Sequence, residues 1–212
     1  MRGGLITVEG VEGSGKTTQC LRLAARIRGR GLEVVETSEP GGTPLGVAVR
    51  SLFEQDGPPP TPLAQVFLFM AARQQLVAQV IRPALARGAV VLSDRYTDAT
   101  VAYQGYGQGV DLETIRELNV LATGGVLPDL TLLLDLDPAL GMARIRGRRL
   151  DAFEKMDLGF HRRVREGYLE IARADKRRVV VFPADRDQDG LQSAIVRVVE
   201  EFLSRRGEPR GA

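Results

Sequence analysis

The chain has one cysteine, Cys20, one histidine, His161, and no tryptophan. A single thiol excludes an internal disulfide and any all-cysteine metal site. A single imidazole excludes multi-histidine zinc centres and leaves little room for Ser-His-Asp or Cys-His nucleophilic layouts. Lysine is confined to Lys16, Lys155 and Lys176, and the other basic residues are arginine. Arginine suits bidentate contacts to phosphate, although codon usage alone produces the same bias. Long apolar runs are missing. The longest uncharged stretch, Gly57 to Ala72, is interrupted by Pro58, Pro59, Pro60 and Pro62 and is too short to span a bilayer. Neither sign of charge dominates, with Lys+Arg 29 against Asp+Glu 27, which argues against a dedicated nucleic-acid binder. Met1-Arg2-Gly3-Gly4 runs directly into a strand pattern with no secretory signal. These absences lead us to expect a soluble cytoplasmic protein with neither nucleic acid nor membrane as partner.

What is present is an ordinary globular composition, 43% hydrophobic and 26% charged over 212 residues. That length suits one domain with a sizeable core. Five short apolar runs read as strands: Leu5 to Val8, Leu32 to Thr37, Ala89 to Leu92, Leu130 to Leu136 and Val179 to Phe182. Helical patterns lie between them. One runs from Lys16 to Arg30 with Gly31 as its C-cap, and a short one from Gly46 to Phe53. A long helix capped by Thr61 reaches about Ala86, with a bend before Pro83. Others run from Asp111 to Thr123, from Pro138 onward, from Leu158 to Ala174 and from Leu191 to Arg205, with fraying from about Gly207. Strands alternating with helices imply βαβ units and a parallel sheet. The expected architecture is a three-layer α/β/α fold with a five-stranded parallel sheet, whose ligands bind at the carboxyl ends of the strands.

Gly10-Val11-Glu12-Gly13-Ser14-Gly15-Lys16-Thr17 matches G-x-x-x-x-G-K-[ST], after a strand and before a helix. Glycines there let backbone N–H groups turn onto phosphate, and the helix N-terminus favours the anion. Lys16 reaches the β- and γ-phosphates, and the Thr17 hydroxyl ligates Mg²⁺. With Thr18, this loop is the expected ATP-binding segment. Asp94, ending a later strand, is the candidate second metal partner. Read alone it is also a plausible turn or cap residue. A guanine-reading N-K-x-D segment is absent, and the length suits a small kinase better than a motor ATPase.

The sequence resembles the thymidylate kinase family of P-loop nucleoside monophosphate kinases over nearly its whole length. The resemblance is carried by Gly10 to Thr17, Glu39-Pro40-Gly41-Gly42-Thr43, Phe69-Met70-Ala71-Ala72-Arg73, Asp94-Arg95-Tyr96, Ala102-Tyr103-Gln104-Gly105, Arg149-Leu150-Asp151, Phe160-His161 and Glu166-Gly167-Tyr168. It implies transfer of a phosphoryl group from ATP to dTMP with Mg²⁺, in a homodimer to which the helices from Thr61 and Asp111 contribute. It further implies that Arg50 and Arg95 grip the 5′-phosphate and that Phe69 stacks on thymine. Arg73, Thr100 and Gln104 read the base edge, Tyr103 packs under the sugar, and Tyr168 closes the base side. Glu12 faces the 3′-hydroxyl, and Glu39 lies near the acceptor and metal-bound water. Without the resemblance, Arg50 reads as a solvated helix face, Phe69 as core and Gln104 as surface.

A small basic lid, about residues 144–156, is expected to close the site. Gly13 occupies the loop position where some relatives carry a catalytic arginine, so the lid must supply one. Of Arg144, Arg146, Arg148 and Arg149, the resemblance selects Arg149. The expected catalytic set is Lys16, Arg95, Arg149 and Glu12. Ser38, Leu76, Ala99 and Ala152 depart from the family pattern and bear on rate and base selectivity. A kinase for another nucleoside monophosphate, or a nucleotide-binding protein without transfer activity, remains an alternative at this point.

Overall fold

Strand β1 (Leu5–Glu9) is buried on both faces, as apolar strands in the middle of a parallel sheet must be. Around it lie β2 (Val34–Ser38), β3 (Val90–Asp94), β4 (Leu130–Asp135) and β5 (Val179–Pro183), in the order β2-β3-β1-β4-β5 with every pairing parallel. The computed structural model describes residues 3–207. All five strands form where the apolar runs predict them.

The helices cover both sheet faces. Helix α1 (Lys16–Arg28) and the C-terminal helix (Gln188–Gly207) pack on one side, where Ile6, Val8, Leu23, Ile27, Ile195 and Val199 join one core. Helix α1 stops before the expected Gly31. Arg30 N–H and Gly31 N–H close tight turns onto Ile27 and Arg28, and the left-handed residue is Gly31 itself, outside the helix. Helix α2 (Pro44–Glu54) starts on the Thr43 side chain, whose oxygen accepts from Gly46 N–H at 3.1 Å. The long helix from Thr61 is three pieces: α3 (Pro62–Leu76), a π-helical turn (Val77–Ile81) and α4 (Arg82–Ala86). Pro83 has no N–H to give, and the wider π turn before it lets the helix continue without that bond. Thr61 holds the N-cap position without a side-chain capping bond.

A second π-helical segment (Val101–Gly107) follows the short α5 (Thr97–Thr100), where the sequence pattern predicts no element. It packs against α8 (Leu158–Ala174), with Gly107 pressed on Phe160 and Gly167 on Tyr106. Between them come α6 (Leu112–Thr123), capped by Asp111, and α7 (Pro138–Arg144). The C-terminal helix, α9, completes the set.

The register positions the site. Val8 of β1 and Ser38 of β2 both lie beside Asp94 of β3. The segments leaving these strands therefore emerge together at one edge. The chain passes from β1 outward to β2 and β3, then crosses to β4 on the other side, so the edge is a topological switch point.

Candidate active site

At that edge lies a cavity of about 790 Å³. Its walls include Glu12, Gly13, Ser14, Gly15, Lys16, Thr17 and Thr18. Gly10 and Val11 start the same loop from beneath. Gly10, Gly13 and Gly15 all have positive φ, and at Gly13 an added Cβ would sit 2.2 Å from Gly141 O. Lys16 Nζ donates to Val11 O at 2.9 Å, curling over the loop it serves. Burial, then the nearby Arg95 charge, lower the Lys16 pKa against the pull of Glu12. Thr17 Oγ1 donates to Asp94 Oδ2 at 2.7 Å, so the two expected metal ligands are in contact across 77 residues of sequence.

Arg95 follows Asp94 and is the one non-glycine among the described residues with positive φ, 71°. That conformation costs of order 1 kcal/mol or more and persists where the surroundings over-determine it. Arg95 N–H donates to Val8 O at 3.0 Å, and Arg95 O accepts from Ser93 Oγ at 2.7 Å. The turn aims the guanidinium back at the loop. Its Nη2 donates to Glu12 Oε1 at 2.5 Å and to Tyr103 OH at 3.0 Å; its Nη1 donates to Gly10 O and Tyr168 OH, both at 3.2 Å. It also lies over the Tyr103 ring, 4.7 Å from the centroid. Burial alone would raise the Glu12 pKa, but Arg95 and then Lys16 outweigh it and bring the carboxyl down to about 2. Glu9, just behind, is the reverse. Burial and then the Asp98 charge push it up to about 8.

The far end of the cavity is aromatic. Phe53 stacks between Phe69 and Phe153, with centroids 5.1 Å apart on each side, and Tyr103 meets Phe153 edge-on at 5.8 Å. Arg50 lines this end. Its Nε donates to Glu54 at 3.0 Å. Arg73 is 1% exposed. Its fork reaches both oxygens of Glu39, Asn119 Oδ1 at 2.5 Å, Tyr96 O at 3.0 Å and Thr100 Oγ1 at 3.1 Å. Burial opposes the Arg73 charge, and Glu39 outweighs it, so the guanidinium holds its proton more firmly than usual. Gln104 Nε2 donates to Gln65 Oε1 at 3.1 Å. Glu39, Arg73, Thr100 and Gln104 all reach the cavity wall.

Residues 8–195 match the family model described as thymidylate kinase. A thymidylate kinase of Deinococcus radiodurans is 49% identical over 201 residues, spanning 94% of this chain and 98% of its own. One from Synechococcus sp. (strain JA-3-3Ab) is 54% identical over 198 residues, at 93% and 96% coverage. The crystal structure of thymidylate kinase from Ehrlichia chaffeensis has a TM-score of 0.76 at 35% identity, covering 94% of this chain and 99% of that one. The chain belongs to the thymidylate kinase family.

In this member of the thymidylate kinase family, the segment expected to be a lid is held by its own carboxylates. Asp151 Oδ1 accepts from Phe153 N–H and Glu154 N–H, while Glu154 Oε2 accepts from Asp151 N–H at 3.0 Å. This reciprocal capping winds one turn that hangs Phe153 over the cavity. Arg148 pairs with Glu154 and lines the cavity, as does Arg144, which donates to Gly13 O at 3.2 Å. Arg149 points away. Its side chain is 71% exposed, 3.5 Å from Asp56. Tyr168, expected to close the cavity, lies behind Arg95 and outside the lining; the aromatic wall is formed by Phe53, Phe69 and Phe153.

Phe53, Phe153, Asn119 and the stretch Arg186, Asp187 and Gln188 do not stand out in the sequence, yet most of them line the cavity. Isolated phenylalanines read as core. The stretch after β5 has a usable signal, since ligands gather beyond the carboxyl ends of parallel strands.

Proposed function

We propose that the chain transfers the γ-phosphoryl group of ATP to the 5′-phosphate of dTMP, giving ADP and dTDP. The observation that carries this reading is the continuity of one cavity from the phosphate loop to the Phe53–Phe69–Phe153 wall. A nucleoside triphosphate at one end and a nucleoside monophosphate at the other meet near Lys16, Glu12 and Arg95.

The acceptor phosphate has a second pKa near 6, so it is largely dianionic at neutral pH, and its oxygen attacks without a general base. The bond from the γ-phosphorus to the bridging oxygen breaks, and ADP leaves with the electron pair. What the protein supplies is alignment and charge neutralisation. Lys16 supports the transferring group. Arg95 and Arg50 hold the acceptor phosphate, Arg95 by exchanging Glu12 and Tyr103 for phosphate oxygens. Glu12 then faces the sugar, beneath which the Tyr103 ring leaves no room for a 2′-hydroxyl. Phe69 stacks on the base. Gln104, its amide nitrogen engaged by Gln65, turns its carbonyl oxygen toward thymine N3–H, with Thr100 beside it. Arg73 approaches O4, which rejects the amino group of cytosine. Glu39 fixes Arg73 from behind.

Thr17 and Asp94 would hold a Mg²⁺ ion, since their oxygens meet at the cavity edge and hard oxygen donors suit that cation. Bound with ATP, the ion would supply charge neutralisation to the phosphates. The lid, residues 144–156, delivers an arginine to the transferring group. Arg149 is the candidate from the sequence, and Arg148 and Arg144 are the candidates on the cavity wall. The exposed Leu63 and Phe67 of α3, and Val120 and Leu121 of α6, support a homodimer across these two helices. Among the described residues no helix is long and apolar enough to cross a membrane. We place the enzyme in the cytoplasm.

The test is an ADP-release assay with Mg-ATP and dTMP, dUMP, dCMP, dGMP or UMP. The expected result is fast turnover of dTMP, weaker turnover of dUMP and negligible turnover of the rest. Preference for another monophosphate would discard the base-reading roles. Tight ATP binding without turnover of any acceptor would discard the activity.

A further inference from the structure

Glu9 is fully buried at the end of β1, outside the cavity. A buried carboxyl group is costly unless its oxygens are engaged. Both oxygens of Glu9 are engaged, and both lead to Arg95. Oε1 accepts from Tyr96 N–H at 2.7 Å, fixing the peptide just after the left-handed residue. Oε2 accepts from Tyr168 OH at 2.8 Å, and that hydroxyl oxygen accepts in turn from Arg95 Nη1 at 3.2 Å. One carboxyl thus holds Arg95 from its backbone side and from its guanidinium side.

The guanidinium of Arg95 has four partners, Glu12, Tyr103, Tyr168 and the Gly10 carbonyl, and they divide into two sets. Glu12 and Tyr103 line the cavity and are placed to exchange with an incoming phosphate. Tyr168, backed by Glu9, and the Gly10 carbonyl do not line it, so an incoming phosphate does not compete for them. Arg95 therefore keeps a fixed rear support while its front face changes partners.

We propose that Glu9 is the positioning residue that presets Arg95 for the acceptor phosphate, acting through Tyr168 and the Tyr96 amide. The role rests on the reading of Arg95 as the acceptor-phosphate clamp. It requires no contact between Glu9 and either substrate. Tyr168 is the coupling element, so the two side chains act as one unit. Because Glu9 also adjoins the phosphate loop, a merely structural role would disturb ATP and acceptor together. The positioning role disturbs the acceptor alone.

The experiment is steady-state kinetics of the full chain, unaltered and carrying Glu9→Gln, Tyr168→Phe or both, with melting curves alongside. Glu9→Gln keeps the volume and one acceptor oxygen but cannot serve both donors. Each single change is expected to raise the KM for dTMP by about tenfold and to leave the KM for ATP within about twofold. The double variant is expected to be no worse than the poorer single one, because the two belong to one chain of bonds. An unchanged KM for dTMP, equal rises for both substrates, or effects that multiply in the double variant would each overturn the assignment. Should Glu9→Gln fail to fold, Tyr168→Phe removes one hydroxyl only, and its two KM values decide the matter by the same criteria. Turnover by the unaltered chain tests the proposed function separately. If it prefers another monophosphate, the comparison is made with that one, since Arg95 addresses phosphate and not base.

Discussion

Removing the Glu39 carboxylate perturbs the most deeply buried charge at the acceptor end. Arg73 and Glu39 are 1% and 9% exposed, and the guanidinium uses Glu39 as its only anionic partner among the described residues. The other acceptors, Asn119 Oδ1, Tyr96 O and Thr100 Oγ1, are neutral. In Glu39→Gln, Arg73 is left charged in a site that water reaches poorly. Breaking a buried pair from one side costs about 3–5 kcal/mol. For a chain of this size each kcal/mol lowers Tm by roughly 2–4 °C, so the melting point is expected to fall by about 6–20 °C.

The companion variant, Glu39→Gln with Arg73→Met, removes both charges and nearly keeps the volume. Replacing a buried pair by packed groups of similar size is close to neutral, so stability is expected to return most of the way. The coupling read from the cycle is then about 2 kcal/mol or more. Urea unfolding of the unaltered chain, Glu39→Gln, Arg73→Met and the double variant measures it. A single change costing less than about 1 kcal/mol, or costs that add, would show that Arg73 is solvated after all and would refute the reasoning. Kinetics of the double variant add a separate readout: stability recovers while discrimination between dTMP and dCMP does not.

The lid arginines separate in the same assay. Arg148→Ala is expected to lower kcat by about a hundredfold with little change in the KM for dTMP, as losing a transition-state donor does, whereas Arg149→Ala stays near the unaltered rate. The opposite order returns the role to Arg149, the residue that the family resemblance selects. Added dTMP at about a hundred times its Kd stabilises by about 2.7 kcal/mol, a rise in Tm of roughly 5–11 °C. UMP at the same concentration is expected to give almost none, and an equal shift would remove Tyr103 as the sugar filter. Glu12, with its pKa lowered from 4.5 to about 2, stabilises the fold fully above its unfolded value. That contribution is lost as pH falls from about 5 toward 2. Melting temperature against pH is therefore expected to fall less steeply over that window in Glu12→Gln, and parallel curves would contradict the Arg95–Glu12 pair.

The strands and the phosphate loop are legible in the sequence because their signals are local. Leu5 to Val8 and Leu130 to Leu134 are apolar but for Thr7 and Thr131, a pattern that suits a sheet covered on both faces. The loop's glycines declare a backbone that side chains would block. The two π-helical turns carry no such signal. Val77–Ile81 lies inside an unbroken helical pattern. Val101–Gly107, with Gly105 and Gly107 in it, reads as loop until α8 is packed on it. There the fold is decided by a partner distant in sequence, with Gly107 against Phe160 and Gly167 against Tyr106.

Much the same division runs through the site. Lys16, Thr17, Asp94 and Arg95 stand next to glycine turns or strand ends, positions whose chemistry is dictated by the backbone. The family resemblance marks Arg73 and Glu39 as residues of the proposed acceptor end, but not as partners, because a bond across 34 residues leaves no trace in spacing. Glu9 gives no sign of its role. It sits in an apolar strand where a carboxyl looks like an interruption, and its meaning appears only when Tyr168 comes across from α8 and the turn at Arg95 brings Tyr96 N–H down to it. The groups that touch phosphate are written in the sequence by local geometry. The groups that aim them are supplied by tertiary contact, and for that reason the support behind Arg95 is where the structure adds most to the sequence.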